Sequence, residues 1–285
     1  MLLTRDEMRF DFGGARFELP HDAESLGWIF SQFLYGEVTG IQVGHWIYHA
    51  PNLDSARFLA VQCQQELSHV RLMGNVFSCL GVEPVPVHRW VRFLATGLMG
   101  AGWEEHCCLE MALGEGYVLA IFYALEDTIP DAEIVRLLKI ASRQEEMHVQ
   151  FGETQTQRAA RDPKMRRRLL GMSLVSLAAM RRLSGALRRR ADAAHPVWRQ
   201  LPAFADHLAA VTELRLQRLG LLERPLVEVA AAVRAWRIAE GLAWRAAALV
   251  PRRRRLLTDH YLSDPAVLKA ASRPIHGPAR SRAVY

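Results

Sequence analysis

One spacing occurs twice in this chain, and it limits the fold more than any other feature. Glu66-Leu-Ser-His69 and Glu145-Glu-Met-His148 both read E-x-x-H. A lone glutamate precedes each of them: Glu37 by 29 residues (66 − 37) and Glu115 by 30 (145 − 115). Residues three apart on a helix share a face, so each pair presents a carboxylate beside an imidazole. The neighbours are those of buried faces. Glu115 has Met111 one turn before it and Val118 and Leu119 one turn after. Burying an ionised carboxylate without a partner costs several kcal/mol or more. No lysine or arginine lies near mid-helix on these faces. Four inward acids therefore need positive charge at their centre, which a pair of divalent metal ions would supply. The candidate metal ligands are Glu37, Glu66, His69, Glu115, Glu145 and His148.

Helical signals dominate the rest of the chain. Residues 8–19 alternate around Gly13-Gly14 and predict a short β-hairpin over the first 21 residues. Asp22 can cap a helix running to about Ala50, and Pro51-Asn52 ends it. Further helices are expected at about Asp54–Leu80, Gly102–Asp127 and 131–160, with a crossing segment over His88–Gly100. Two short connections and one of about 20 residues suit a bundle of antiparallel neighbours. Beyond it, Asp162-Pro163 opens a helix to about Arg190. More helices are predicted near 203–219 and 225–249, and residues 272–285 read as a loose tail. The expected fold class is all-α. A four-helix unit over 22–160 precedes a basic helical extension over 161–271.

Charge divides at the same place. Residues 1–150 hold 10 Lys+Arg and 20 Asp+Glu, a net of −10; residues 151–285 hold 26 and 10, a net of +16; the two sum to the overall +6. The arginine clusters Arg166–Arg168, Arg188–Arg190 and Arg252–Arg255 carry much of the second half's surplus. They read first as solvated helix faces and ends, and otherwise as an attraction for anionic partners or as charge cancelled against the acidic half. Few aromatics interleave with them, so nucleic acid is not the favoured partner. Cys63, Cys79, Cys107 and Cys108 form no C-x-x-C, which points to a reducing, cytoplasmic setting without a disulfide framework. The longest uncharged apolar run of the basic half, Leu169–Met180, is too short to span a bilayer, and no transmembrane segment is expected.

The order Glu, E-x-x-H, Glu, E-x-x-H resembles that of the ferritin-like di-iron carboxylate superfamily, in its oxygenase and ribonucleotide-reductase-small-subunit branch. Glu37-Val-Thr-Gly-Ile through Gln65-Glu66-Leu-Ser-His69 is similar to the phenylacetyl-CoA epoxidase catalytic subunit, and Glu145-Glu-Met-His148-Val-Gln-Phe-Gly152 to arylamine N-oxygenase-like proteins. The resemblance implies a ferritin-like bundle in which Glu66 and Glu145 bridge two irons. Glu37 and Glu115 would be terminal ligands, with His69 and His148 as nitrogen ligands. Manganese or a mixed manganese–iron pair would suit the same donors. Met73 stands where the reductase subunit has its radical tyrosine, so that role is not expected.

The implied function is a dioxygen-activating oxygenase that hydroxylates, epoxidises, N-oxygenates or desaturates a small organic or carrier-bound acyl-thioester substrate. It would need an external electron donor, a reductase or ferredoxin, because the chain shows no flavin, haem or iron–sulfur motif. A homodimer is compatible with this reading. An RNA-modifying hydroxylase and a non-catalytic metal- or partner-binding protein are the alternatives. Gly40, Gly44, Gly114, Gly116 and Gly152 near the ligands read either as room for substrate or as close helix packing. Glu104, Glu105, Glu110 and Glu146 fall off the ligand pattern. His106 and His207 read as ordinary helix residues.

Overall fold

The computed structural model describes residues 1–19, 21–97, 100–189 and 194–249. Arg252–Arg255, Arg190 and the expected tail over 272–285 lie outside them. The described chain is all-α: α1 (Arg5–Met8), α2 (Ala23–Gly40), α3 (Val43–Trp46), α4 (Leu53–Leu80), α5 (Arg89–Arg92), α6 (Trp103–Glu105), α7 (Gly116–Thr128), α8 (Ala132–Ala159), α9 (Pro163–Arg188), α10 (Leu201–Arg218) and α11 (Ala231–Leu249). A π-helical stretch, His106–Glu115, joins α6 to α7 into one long rod, and a shorter one, Phe93–Gly97, follows α5.

Local signals explain the long helices. Asn52 accepts a hydrogen bond from the Ser55 N–H at 2.9 Å and starts α4, and Gly81 at φ 66° ends it. Asp131 caps α8 through the Ile134 N–H at 2.8 Å. Two expectations fail. The first helix stops at Gly40 instead of reaching Ala50, and a turn leads into α3. Thr39 bonds back to the Gly36 carbonyl at 2.6 Å there, and a side chain at Gly40 would meet the Glu66 carboxylate at 2.6 Å. Asp22, expected to cap α2, makes no capping bond. Its carboxylate instead accepts from Trp198 Nε1 at 2.8 Å and the Glu18 N–H at 2.7 Å, and it faces His195 Nε2 at 3.0 Å.

The N-terminal hairpin does not form, and no strand occurs among the described residues. Gly13 (φ 59°) and Gly14 (φ 79°) do turn the chain. After the turn, however, the Phe17 N–H donates to the Thr128 carbonyl at 2.9 Å and not across to its own other arm. Aromatic burial decides this. Phe12 packs on Phe204 at 5.5 Å and Phe17 on Trp198 at 5.0 Å, so the arm is a strap over the extension.

One hydrophobic core joins the acidic and basic parts of the chain. Phe30 and Phe33 of α2, Met73 and Phe77 of α4, Phe122 of α7 and Leu138 of α8 share it with Met180 of α9 and Phe204 and Leu208 of α10. Charges also pair across the sequence halves: Arg168 with Glu105, and Arg218 with Glu7. Arg166, Arg167 and Arg188 have acidic partners in Glu223, Glu240 and Asp206. Part of the surplus is therefore cancelled within the molecule. Among the described residues one stretch, Trp103–Thr128, is long and apolar enough to cross a membrane by length and composition alone, which a buried core helix also satisfies, and it is consistent with the expectation of no transmembrane segment. Most of it is buried against other helices.

Candidate metal centre

The six residues singled out by spacing converge between four helical stretches. Glu37 comes from the last turns of α2, Glu66 and His69 from α4, Glu115 from the end of the π-helical stretch, and Glu145 and His148 from α8. All but Glu115 are buried; Glu115 is half-buried. Glu37, Glu66, His69 and Glu145 offer ligand atoms within 4.8 Å of one another, and so do Glu66, Glu115 and His148.

The arrangement has two matching halves. His69 Nδ1 lies 3.0 Å from Glu37, 3.8 Å from Glu66 Oε2 and 3.2 Å from Glu145 Oε1. His148 Nδ1 lies 3.9 Å from Glu115, 3.5 Å from Glu66 Oε1 and 3.3 Å from Glu145 Oε2. Glu66 and Glu145 thus turn one oxygen toward each histidine, whereas Glu37 faces only His69 and Glu115 only His148. Two carboxylates stand between two half-sites, and one terminal carboxylate belongs to each.

The outer nitrogens are fixed by residues that spacing alone did not mark. His69 Nε2 meets Gln144 Oε1 at 2.7 Å, and His148 Nε2 meets Gln65 Oε1 at 2.7 Å. Each glutamine immediately precedes the E-x-x-H of one helix and holds the histidine of the other. An amide oxygen only accepts, so each Nε2 carries a hydrogen and each Nδ1 is directed at the carboxylates. Such partners set ring orientation and ligand basicity, and losing one typically costs about 10–100-fold in metal affinity. Gln144→Leu and Gln65→Leu should each weaken zinc binding by about that factor in a chelator competition. Unchanged affinity in both would show the pairs to be incidental.

Charge in the cluster is out of balance without cations. Among the described residues, no lysine or arginine forms an ion pair with Glu37, Glu66, Glu115 or Glu145. Burial raises the Glu37 carboxyl to about 8 against the pull of His69, and the Glu145 and Glu66 carboxylates add to the rise. Burial, then repulsion from Glu145, Glu66 and Glu37, lifts Glu115 well above the carboxylate range. Burial also works against Glu145, but His148 and His69 outweigh it and hold that group down at about 2. Around His69 burial disfavours charge, yet Glu37, Glu145 and Glu66 prevail and its pKa rises. Glu115 Oε1 accepts from Gln62 Nε2 at 2.8 Å, while its buried Oε2 has no hydrogen-bond partner. Four acids, two imidazoles directed inward and a carboxylate oxygen without a hydrogen bond make a donor set that could hold metal in either group.

The sign of the pH response follows. The raised groups hold protons in the metal-free fold that the unfolded chain has already released. Metal-free stability should therefore fall as pH rises from about 4.5 to about 8. His69 adds a loss of the same sign above its ordinary value of about 6.5. Metal binding needs the carboxylates ionised, so the thermal shift on adding zinc should grow from about pH 5 to about pH 8. A shift that shrinks over that range would contradict the assignment.

A cavity of about 240 Å³ adjoins the cluster. All four acids line it. Most of the rest is apolar, with Phe33, Val118 and Ile121 from the helices of the cluster and Phe12, Phe17, Trp198 and Phe204 from the strap and extension. Among the described residues, no lysine or arginine lines it. The nearby glycines divide between the two readings of them. Gly40 and Gly114 line the cavity. A side chain at Gly152 would meet Met111 Cβ at 2.6 Å and the Ala112 nitrogen at 2.7 Å, so this glycine serves the close packing of α8 on the π-helical stretch.

Several of the off-pattern residues find partners. Glu105 pairs with Arg168, Glu146 accepts from the Tyr123 hydroxyl at 2.6 Å, and His207 Nε2 lies 3.0 Å from the Met8 carbonyl. Cys107 and Cys108 fill buried positions as unpaired thiols. Comparison of the chain with protein-family models, with curated proteins and with solved structures finds no match.

Proposed function

We propose that this chain is a dioxygen-activating oxygenase with a ferritin-like helical core, and that Glu37, Glu66, His69, Glu115, Glu145 and His148 hold two iron ions. The observation that carries the reading is the pair of matching half-sites, shared through Glu66 and Glu145, beside an apolar cavity. When bound, a ferrous pair supplies the electrons that reduce dioxygen. The residues of the chain do the rest. Gln65 and Gln144 orient the imidazoles. Glu66 and Glu145 span the two half-sites and fix their separation. Apolar walls keep water from the reacting face and hold a hydrocarbon portion of the substrate against it. The reaction delivered there would be hydroxylation, epoxidation, N-oxygenation or desaturation. External electrons would come from a reductase or ferredoxin.

Arginine pairing bears on the RNA-modifying alternative. Arg166, Arg167, Arg168 and Arg188 already face acids, so they offer a phosphate backbone less charge than their number suggests. The functional test is anaerobic ferrous loading followed by stopped-flow mixing with dioxygen. Rapid formation of an oxidised chromophore that needs His148 is expected. Iron that stays bound but does not react with dioxygen would favour the non-catalytic alternative.

A further inference from the structure

The π-helical stretch brings one unassigned pair to the cavity. A π-helix has roughly 4.4 residues per turn, against 3.6 in an α-helix. His106 and Glu115 are nine residues apart, which would be two and a half α-helical turns and opposite faces. Across His106–Glu115 the wider turn places both, with Glu110 between them, along one face. All three line the cavity.

His106 is built as a fixed ligand contact. It is 2% exposed. Its ring stacks on Trp46 with centroids 4.8 Å apart and planes 15° apart. Its Nδ1 lies 2.9 Å from Glu110 Oε2, while the other Glu110 oxygen accepts from the Gly100 N–H at 3.0 Å. Arg245 interacts electrostatically with Glu110. An ionised carboxylate only accepts, so the Nδ1 of His106 carries the hydrogen. In the neutral ring, Nε2 is then a bare acceptor. That Nε2 is buried with no hydrogen-bond partner. A buried polar atom left unmatched is costly, and a ligand that supplies a donor removes the cost.

We propose that His106, oriented by Glu110, is the polar anchor of the cavity and selects an otherwise apolar ligand bearing an O–H or N–H donor. The inference deepens the proposed function and rests on the cavity being the substrate chamber, but its test needs neither iron nor dioxygen. The absence of lysine and arginine from the lining, among the described residues, agrees with a ligand that carries no negative charge.

The experiment is a fluorescence titration of the full chain, zinc-loaded, with 2-naphthol and with 2-methoxynaphthalene, which has no donor. The ratio of the two association constants should fall by about fivefold to tenfold in His106→Phe. Glu110→Gln is the second variant and nearly preserves shape. Its amide oxygen should stay on the Gly100 N–H and its NH₂ should turn to His106 Nδ1, moving the ring hydrogen to Nε2. The same ratio should then fall, with 2-methoxynaphthalene binding more tightly than it does to the wild type. A ratio unchanged in both variants overturns the anchor and leaves the chamber standing. If neither probe binds the wild type while zinc does, the chamber reading itself fails.

Discussion

Glu145→Ala should abolish metal binding altogether, whereas Glu37→Ala and Glu115→Ala should each leave about one ion per chain. The difference follows from which histidine each carboxylate faces. Glu145 turns one oxygen toward His69 at 3.2 Å and the other toward His148 at 3.3 Å, so its loss strips a ligand from both half-sites. Glu37 and Glu115 each serve one. Glu66→Ala should behave like Glu145→Ala, because its oxygens divide in the same way. Without cations the four acids crowd one another and are only partly offset by the two imidazoles, so the variants should fold, with circular dichroism like that of the metal-free wild type. Metal would be quantified after anaerobic loading and desalting. Full occupancy in Glu145→Ala would show that it does not span the two half-sites.

The second large effect lies away from the ligands. Arg215→Ala should destabilise the protein by about 3–5 kcal/mol, the range for breaking a buried pair from one side. Arg215 of α10 is 2% exposed, and Glu153 of α8, 3.5 Å from its Nε, is also 2% exposed. The guanidinium donates to the Ala112 carbonyl at 2.8 Å, inside the π-helical stretch, where the hydrogen-bond ladder is shifted. Its other arm reaches Met8 Sδ at 2.9 Å, and Glu153 accepts the Leu2 N–H at 2.6 Å. One buried pair therefore ties the strap, the π-helical stretch, α8 and α10 together. Gly116 leaves the space, since a Cβ there would fall 1.2 Å from Arg215 Nη1. Gly116→Ala should accordingly displace the arginine and destabilise as well. Replacing both partners, Arg215→Met with Glu153→Gln, should recover most of the loss. Urea unfolding measures all of these. A loss below about 1 kcal/mol for Arg215→Ala would mean that Glu153 finds water or another partner.

These two results draw on different amounts of sequence information. The convergence of the Glu/His cluster was legible because E-x-x-H obeys the regular α-helix, and α4 and α8 are regular through those residues. Their bounds fall close to the expected 54–80 and 131–160, although the caps that set them, Asn52 and Asp131, were not marked in advance. The π-helical stretch was not legible. A reading at 3.6 residues per turn separates His106 and Glu110 from Glu115 and leaves them off the ligand pattern. Arg215 stands in a basic half whose arginines mostly reach the surface, and nothing local distinguishes it from Arg218, which pairs with Glu7 at the exposed rim. Gln65 and Gln144 act across helices, so the partner of each is 83 or 75 residues away. The strap failed for a related reason. Alternation and a Gly-Gly turn describe a hairpin, but Phe12 and Phe17 bury more against Phe204 and Trp198 than a two-stranded ribbon could offer.

The central claim is two metal ions held between Glu66 and Glu145. Anomalous diffraction at the iron edge from iron-loaded crystals tests it directly. Two peaks are predicted about 3.5–4 Å apart, one beside His69 Nδ1 and Glu37, the other beside His148 Nδ1 and Glu115. A single peak there, or iron bound only elsewhere on the chain, would contradict the account.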